Sequence, residues 1–192
     1  MKYTVGINDN DFIRGNIPMK KQEVRTLVLG KAQIKRDDII IDMGAGTGSL
    51  SIEAAFQAFN GKVYAIERED EGVQLIEANR KKFCRENLEI IHGSAPESAM
   101  KLPSADVILV GGSGGKLLDI LHYSIQRLKS EGRLIITAVT IETLYTALHF
   151  MQDQSNFSTE AFGVQITRLK NLSASNMFQA LNPIYIITCI KS

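Results

Sequence analysis

The sequence predicts an α/β fold built on a mostly parallel sheet that ends in an antiparallel strand pair. Three observations carry this. Four short, β-rich apolar runs end near glycine or a polar residue, helix-like stretches with apolar residues three and four apart separate them, and two strand-like runs near the end have no helix between them.

In chain order, residues 7–17 have no regular period and read as a lid over a site or a partner-binding arm. A helix is expected over 20–32, with Pro18 just ahead of it and Val24, Leu27 and Val28 facing inward. Runs 39–43, 63–66, 88–91 and 107–110 read as strands buried on both faces. Stretches 49–59, 71–83 and 117–128 carry the intervening helices. After the Ser130-Glu131-Gly132 turn come a fifth strand, 133–139, and a helix over 141–152 with Leu144, Leu148 and Met151 on one face. Runs 157–169 and 183–190, joined through the polar loop 171–176, are expected to pair antiparallel.

With 192 residues, 44% hydrophobic and 22% charged, the chain reads as one globular domain, residues 1–33 forming its N-terminal segment and helix. Lys and Arg (22) nearly cancel Asp and Glu (21), so nothing points to a nucleic-acid or membrane partner, while a local basic pocket for an acidic small molecule stays open. Cys84 and Cys189 belong to no C-x-x-C and read as buried thiols, with no disulfide or zinc site and no bound metal expected. The opening Met1-Lys2-Tyr3-Thr4-Val5-Gly6 runs into a charged stretch unlike a secretion signal, and no apolar run approaches the ~20 residues that span a bilayer. A cytoplasmic location is the expectation.

The chemistry concentrates in Asp42-Met43-Gly44-Ala45-Gly46-Thr47-Gly48, directly after a strand and opening a helix. Glycine there allows positive φ and lets a ligand touch the backbone, and amides free at a helix start hold an anion such as a carboxylate. A G-x-G-x-x-G dinucleotide fingerprint would need its third glycine at position 49, which is Ser49. Glu67 ends the second strand 19 residues beyond Gly48, near the ~20-residue offset at which a carboxylate grips ribose hydroxyls. That feature fits S-adenosylmethionine (SAM) and NAD equally, and a solvated strand-end carboxylate is the plainer reading. The three histidines read as a strand-end residue, His92, and two helix residues, His122 and His149. The bend Gly111-Gly112-Ser113-Gly114-Gly115 has almost no side-chain bulk, so a large planar substrate could approach closely with backbone amides ready for an anion; a merely flexible loop is the competing reading.

The D-x-G-x-G-x-G motif resembles the first motif of Rossmann-like, class I SAM methyltransferases, whose loop wraps the methionine part of the cofactor. Together with Asp11-Phe12-Ile13-Arg14, Ile17-Pro18-Met19, Glu23-Val24-Arg25, Tyr64-Ala65-Ile66-Glu67-Arg68, Ala95-Pro96-Glu97, the 111–115 bend, Met177-Phe178 and Asn182-Pro183, it resembles one family over nearly the whole length. That family is the decarboxylating cobalt-precorrin carbon-15 methyltransferases of anaerobic cobalamin synthesis. The resemblance implies a seven-stranded sheet with helices on both faces and SAM as cofactor. It further implies a tetrapyrrole substrate methylated at carbon 15 with loss of carbon dioxide from the ring C acetate, and a homo-oligomer of the tetrameric kind.

The cofactor residues it implies are Gly44, Ala45, Gly46, Thr47, Gly48, Glu67, Arg68, Ser94, Ala95 and Lys20. Ser94 stands where the adenine-binding turn often carries Asp, which leaves the Ala95 amide as the usable contact. Lys20 stands where family members commonly carry a Thr that approaches SAM; a cation near the sulfonium is unfavourable unless it points away, and substrate carboxylates are its other partner. Arg14, Gly112, Ser113 and Gly114 are the expected substrate contacts, and no general acid or base stands out. The alternatives are a class I methyltransferase acting on RNA, protein or another metabolite, and a non-catalytic SAM- or dinucleotide-binding module or an oxidoreductase.

Overall fold

The computed structural model describes residues 5–173 and 175–192. Residues 1–4, part of the opening read as unlike a secretion signal, and residue 174, within the expected 171–176 loop, lie outside the described residues.

In chain order the elements are α1 (Gln22–Ala32), β1 (Ile39–Met43), α2 (Ser49–Gln57), β2 (Lys62–Glu67), α3 (Asp70–Lys82), β3 (Leu88–His92), β4 (Ala105–Val110), α4 (Leu117–Arg127), β5 (Leu128–Ala138), α5 (Ile141–Gln152), β6 (Phe157–Val164), β7 (Thr167–Leu172), β8 (Ser175–Ala180) and β9 (Ile184–Lys191). Seven strands form one sheet in the order β3-β2-β1-β4-β5-β9-β6. The first five run parallel, and β9 lies antiparallel to both β5 and β6. The expected parallel sheet with an antiparallel pair at its end is therefore present.

Both sheet faces are buried, which is why the strands read as continuous apolar runs rather than alternating ones. In β1, Ile40 joins the core beneath α1, α2 and α3 with Val24, Val28, Ile52 and Ile76. Its neighbours Ile41 and Met43 join the opposite core beneath α4 and α5 with Ile120, Leu121, Ala147 and Met151. The chain steps outward from β1 through β2 to β3 on one side, and through β4 to β5 on the other. A crevice therefore opens at the C-terminal ends of β1 and β4, where an open α/β sheet binds its ligand.

Four expectations are corrected. The run 157–169 is not one strand: β6 ends at Val164, whose partner Ile184 opens β9. Beyond that pair the partner chain is Asn182-Pro183, and proline cannot donate to a ladder, so residues 167–180 fold back on themselves as the separate β7-β8 hairpin. The 130–132 turn is a local irregularity inside a longer β5, with Glu131 at φ 59°. Helix α1 starts at Gln22, not Lys20, and Leu27 is exposed, because the buried face is Val24, Arg25, Val28, Leu29 and Ala32. Cys189 is buried, and burial pushes its thiol up to about 11, but Cys84 is exposed, lying past the end of α3 in a left-handed conformation.

Candidate functional site

The chain leaves β1 and passes at once through Gly44, Ala45, Gly46, Thr47 and Gly48 into α2. Gly44 (φ 69°) cannot be replaced by a larger residue without collision, since a Cβ there would lie 2.3 Å from the Gly112 carbonyl oxygen. Two bends, one after β1 and one after β4, are thus in backbone contact. At Gly48 (φ 74°) a Cβ would meet Ile76 of α3 at 2.9 Å.

The loop amides are largely committed to the protein itself. Gly44 and Ala45 both donate to the Ile66 carbonyl at 3.0 Å, and Gly48 donates to the Ala45 carbonyl at 3.0 Å. Gly46 donates to Glu67 Oε2 at 2.7 Å. Among the described residues, Thr47 alone of the five loop residues has an amide without a protein acceptor. The free amides expected at the helix start are there: those of Ser49, Leu50 and Ser51 at the opening of α2, like that of Thr47, have no protein acceptor among the described residues.

Glu67 closes β2 and is buried against the loop instead of pointing into solvent. Its Oε1 accepts from the Arg68 and Glu69 amides at 2.9 Å each, and its other oxygen faces Gly46. Gly72 of α3 makes room for it: a Cβ at that position would stand 2.6 Å from Glu67 Cγ. Each carboxylate oxygen keeps lone-pair capacity for a hydroxyl donor.

Around these groups lies a cavity of about 390 Å³. The structure brings Gly44, Ala45, Gly46, Thr47, Glu67, Arg68, Ser94, Ala95, Gly112, Ser113, Gly114 and Lys20 to its walls. Gly48 sits behind the loop, shaping it without lining the cavity, and Arg14 is exposed outside it. Sequence reasoning missed Asp42, Glu69 and Lys116 as lining residues; of the segment read as a lid or an arm, Ile17 lines the cavity, followed by Pro18. The motif spacing signalled Asp42; the others are gathered only by the fold. In the 111–115 bend, Gly111 donates to Met43, while the amides of Gly112, Ser113 and Gly114 have no protein acceptor among the described residues. A Cβ on Gly114 would meet Arg68 Nη1 at 2.6 Å, so Arg68 leans across from β2 onto the bend.

The wall formed by the N-terminal segment is pinned by buried polar groups. Asn79 of α3 accepts from the Ile13 amide at 2.8 Å and donates to the carbonyls of Ile13 and Thr47, both at 3.1 Å. Phe12 packs on Phe83 with ring centroids 5.0 Å apart. Arg25, fully buried in α1, donates to Glu53 Oε1 at 2.6 Å, Asp9 Oδ1 at 2.8 Å and the Ile7 and Lys20 carbonyls at 2.5 Å each. A buried guanidinium is tolerable only when so fully satisfied.

Two charged groups meet at the cavity floor. Burial pushes the Asp42 carboxyl up, opposed by a hydrogen bond from Ser51 Oγ and the field of Lys20. Burial pulls the half-buried Lys20 ammonium down, opposed by the field of Asp42. The histidines take structural places: His92 Nε2 lies 3.1 Å from the Arg68 carbonyl, His122 packs edge-on to Phe150, and His149 stacks on Tyr145. Among the described residues no helix is long and apolar enough to cross a membrane.

Comparison with known proteins places the fold and the family. The precorrin methyltransferase domain family matches residues 11–191. The chain is 37% identical over 186 residues to the cobalt-precorrin-6B C(15)-methyltransferase (decarboxylating) of Salmonella typhimurium, covering 96% of each chain. It is similar to the crystal structure of precorrin-6y C5,15-methyltransferase from Geobacter metallireducens, at 38% identity and a TM-score of 0.92, covering 97% of this chain and 98% of that one. It is also similar to the precorrin 8W decarboxylase of Methanobacterium thermoautotrophicum, at 34% identity and a TM-score of 0.89, covering 95% and 98%. The likeness thus holds at sequence and structural level over nearly the whole chain, whose crevice lies at the switch point of a parallel sheet, and this chain belongs to the precorrin methyltransferase family.

Proposed function

We propose that this chain is a SAM-dependent C-methyltransferase of cobalamin biosynthesis, methylating carbon 15 of cobalt-precorrin-6B and removing the ring C acetate carboxyl as carbon dioxide. The observation that carries the reading is the backbone contact between Gly44 and Gly112. It sets a donor-type glycine loop directly beside a bend that no side chain obstructs, in a chain of this family.

The residues present fit the cofactor. Gly44, Ala45, Gly46 and Thr47 would cradle its methionine end, with Gly48 holding the loop's shape. Glu67 would take the ribose hydroxyls, Ser94 and Ala95 would meet the adenine, and Lys20 and Arg68 line the same cavity. When bound, SAM supplies an electrophilic methyl group. The macrocycle supplies its own nucleophile, an enamine-like carbon, so the protein's work is alignment. The 112–114 amides, uncommitted among the described residues, and the Arg68 and Lys116 cations that line the cavity would meet substrate carboxylates. Arg14 is assigned to the same task from outside the cavity. Ring imines would absorb the electrons released as carbon dioxide leaves.

The reading assigns the reaction to one domain. It also makes the protein a cytoplasmic homo-oligomer, a homotetramer by resemblance to its family. The exposed apolar residues Leu169, Met177 and Phe178 on the β7-β8 hairpin support assembly.

Two measurements test the activity. Calorimetric titration with SAM and with NAD is expected to show binding of SAM alone. Incubation with SAM and cobalt-precorrin-6B is expected to yield a product that has gained a methyl group and lost carbon dioxide by mass spectrometry. Binding of NAD without SAM, or recovery of the macrocycle unchanged, overturns the reading.

A further inference from the structure

We infer that the Lys20 ammonium is the counter-charge for the α-carboxylate of the methyl donor, so that this chain holds the donor's amino-acid end by an ion pair and not by backbone amides alone. The inference rests on the SAM reading above and specifies how that site works.

A carboxylate leaving water needs a cation or several N–H donors aimed at it. The glycines of the loop supply none, because the amides of Gly44, Ala45, Gly46 and Gly48 are bonded within the protein, which leaves the amides of Thr47, Ser49 and Leu50 on the cavity wall. Neutral amides do not balance the negative charge, and three cations line the cavity. Arg68 Nε already pairs with Glu69 at 2.9 Å, and Lys116 Nζ pairs with Glu97 at 2.5 Å, both with exposed carboxylates. Lys20 is different. It has no ion-pair partner within 4.0 Å among the described residues, although it is the most desolvated of the three.

Its position is also the right one. A Cβ built on Gly111 would lie 2.7 Å from Lys20 Nζ and 3.0 Å from the Gly44 carbonyl oxygen. The ammonium therefore sits where the two glycine bends meet, and glycine at 111 leaves the space it fills. Its backbone is fixed from behind, since the Lys20 carbonyl accepts from the buried Arg25 guanidinium at 2.5 Å. Asp42, held by Ser51, lies near enough for its field to act on Lys20. The floor thus presents one negative and one positive group side by side, the complement of an amino acid zwitterion. Burial without a direct partner pulls the lysine's pKa down, and an arriving carboxylate relieves that cost.

The test separates the amino-acid end of the ligand from its nucleoside. Wild type, Lys20→Met and Lys20→Arg are titrated with S-adenosylhomocysteine, which carries the amino acid, and with 5′-methylthioadenosine, which lacks it. Lys20→Met is expected to weaken S-adenosylhomocysteine roughly 10- to 100-fold, the worth of a charge-assisted hydrogen bond, and to change methylthioadenosine less than about twofold. Lys20→Arg is expected to recover most of the loss, with thermal unfolding reporting that each variant is folded. Unchanged S-adenosylhomocysteine affinity in Lys20→Met, or an equal loss for both ligands, overturns the inference. Failure of the wild type to bind either ligand overturns the donor reading itself.

Discussion

A methyl group added at either of two touching glycines should have opposite consequences. Gly44→Ala drives a Cβ to 2.3 Å from the Gly112 carbonyl oxygen and 2.9 Å from its nitrogen, and backbone cannot rotate away as a side chain can. The positive φ adds about 1–2 kcal/mol for any L-residue. Thermal denaturation is expected to show Gly44→Ala melting at least several degrees below wild type, with S-adenosylhomocysteine binding lost. Gly112→Ala meets nothing within 4 Å. That variant should melt with wild type and bind S-adenosylhomocysteine as well, yet turn over more slowly, because the new methyl stands where the macrocycle is proposed to lie. Normal turnover by Gly112→Ala would remove the 111–115 bend from the substrate site.

Among the elements, the N-terminal segment and the β7-β8 hairpin are joined by charge. Arg168 of β7 holds Glu23 of α1 with two hydrogen bonds, 3.1 and 2.6 Å, and reaches Asp9 at 3.2 Å. Hydrogen bonding from Arg168 draws the Glu23 pKa down. Burial alone would raise Asp9, but its bonds to Arg25 and Arg168 hold it below the ordinary value. A carboxylate with a depressed folded-state pKa stabilises the fold above its unfolded pKa and loses that contribution as pH falls through the folded one. Arg168→Met should therefore cost stability at pH 7, by no more than about 1 kcal/mol because Arg168 and Glu23 are partly exposed. Urea unfolding should show the difference shrinking once pH drops below the ordinary carboxylate range, near 4. A difference independent of pH would mean that Arg168 acts through packing alone.

For the whole molecule, the hairpin raises the question of assembly. A lone two-stranded hairpin is marginal in water, and this one exposes Leu169 (67%) and Phe178 (77%). If it is the surface through which copies meet, light scattering should give wild type the mass of a multimer, and Leu169→Asp with Phe178→Asp the mass of one chain. A wild type at the mass of one chain would end the homotetramer reading. The large sheet was readable in advance because both its faces are buried: residues such as Ile40 and Ile41 serve opposite cores, so the strands appear as unbroken apolar runs. The hairpin was not, because 157–169 has the same β-rich character throughout. Where the ladder stops depends on Pro183, just ahead of the partner strand and far along the chain.

What the residues alone determined is local. The glycines of 44–48, the strand before them, the helix after them and the carboxylate at Glu67 are set by spacing along the chain, and each is where spacing put it. Only the tertiary structure decided the rest, because it depends on which distant groups share one small volume. Packing drew Arg25 inside with Asp9 and Glu53, and left Leu27, on another face of the same helix, at the surface. It also closed the loop amides onto Ile66 and Glu67 and brought Lys20 beside Gly111 and Asp42. Hydrogen-bond capacity and desolvation are properties of a filled space, and no pattern along a chain records them.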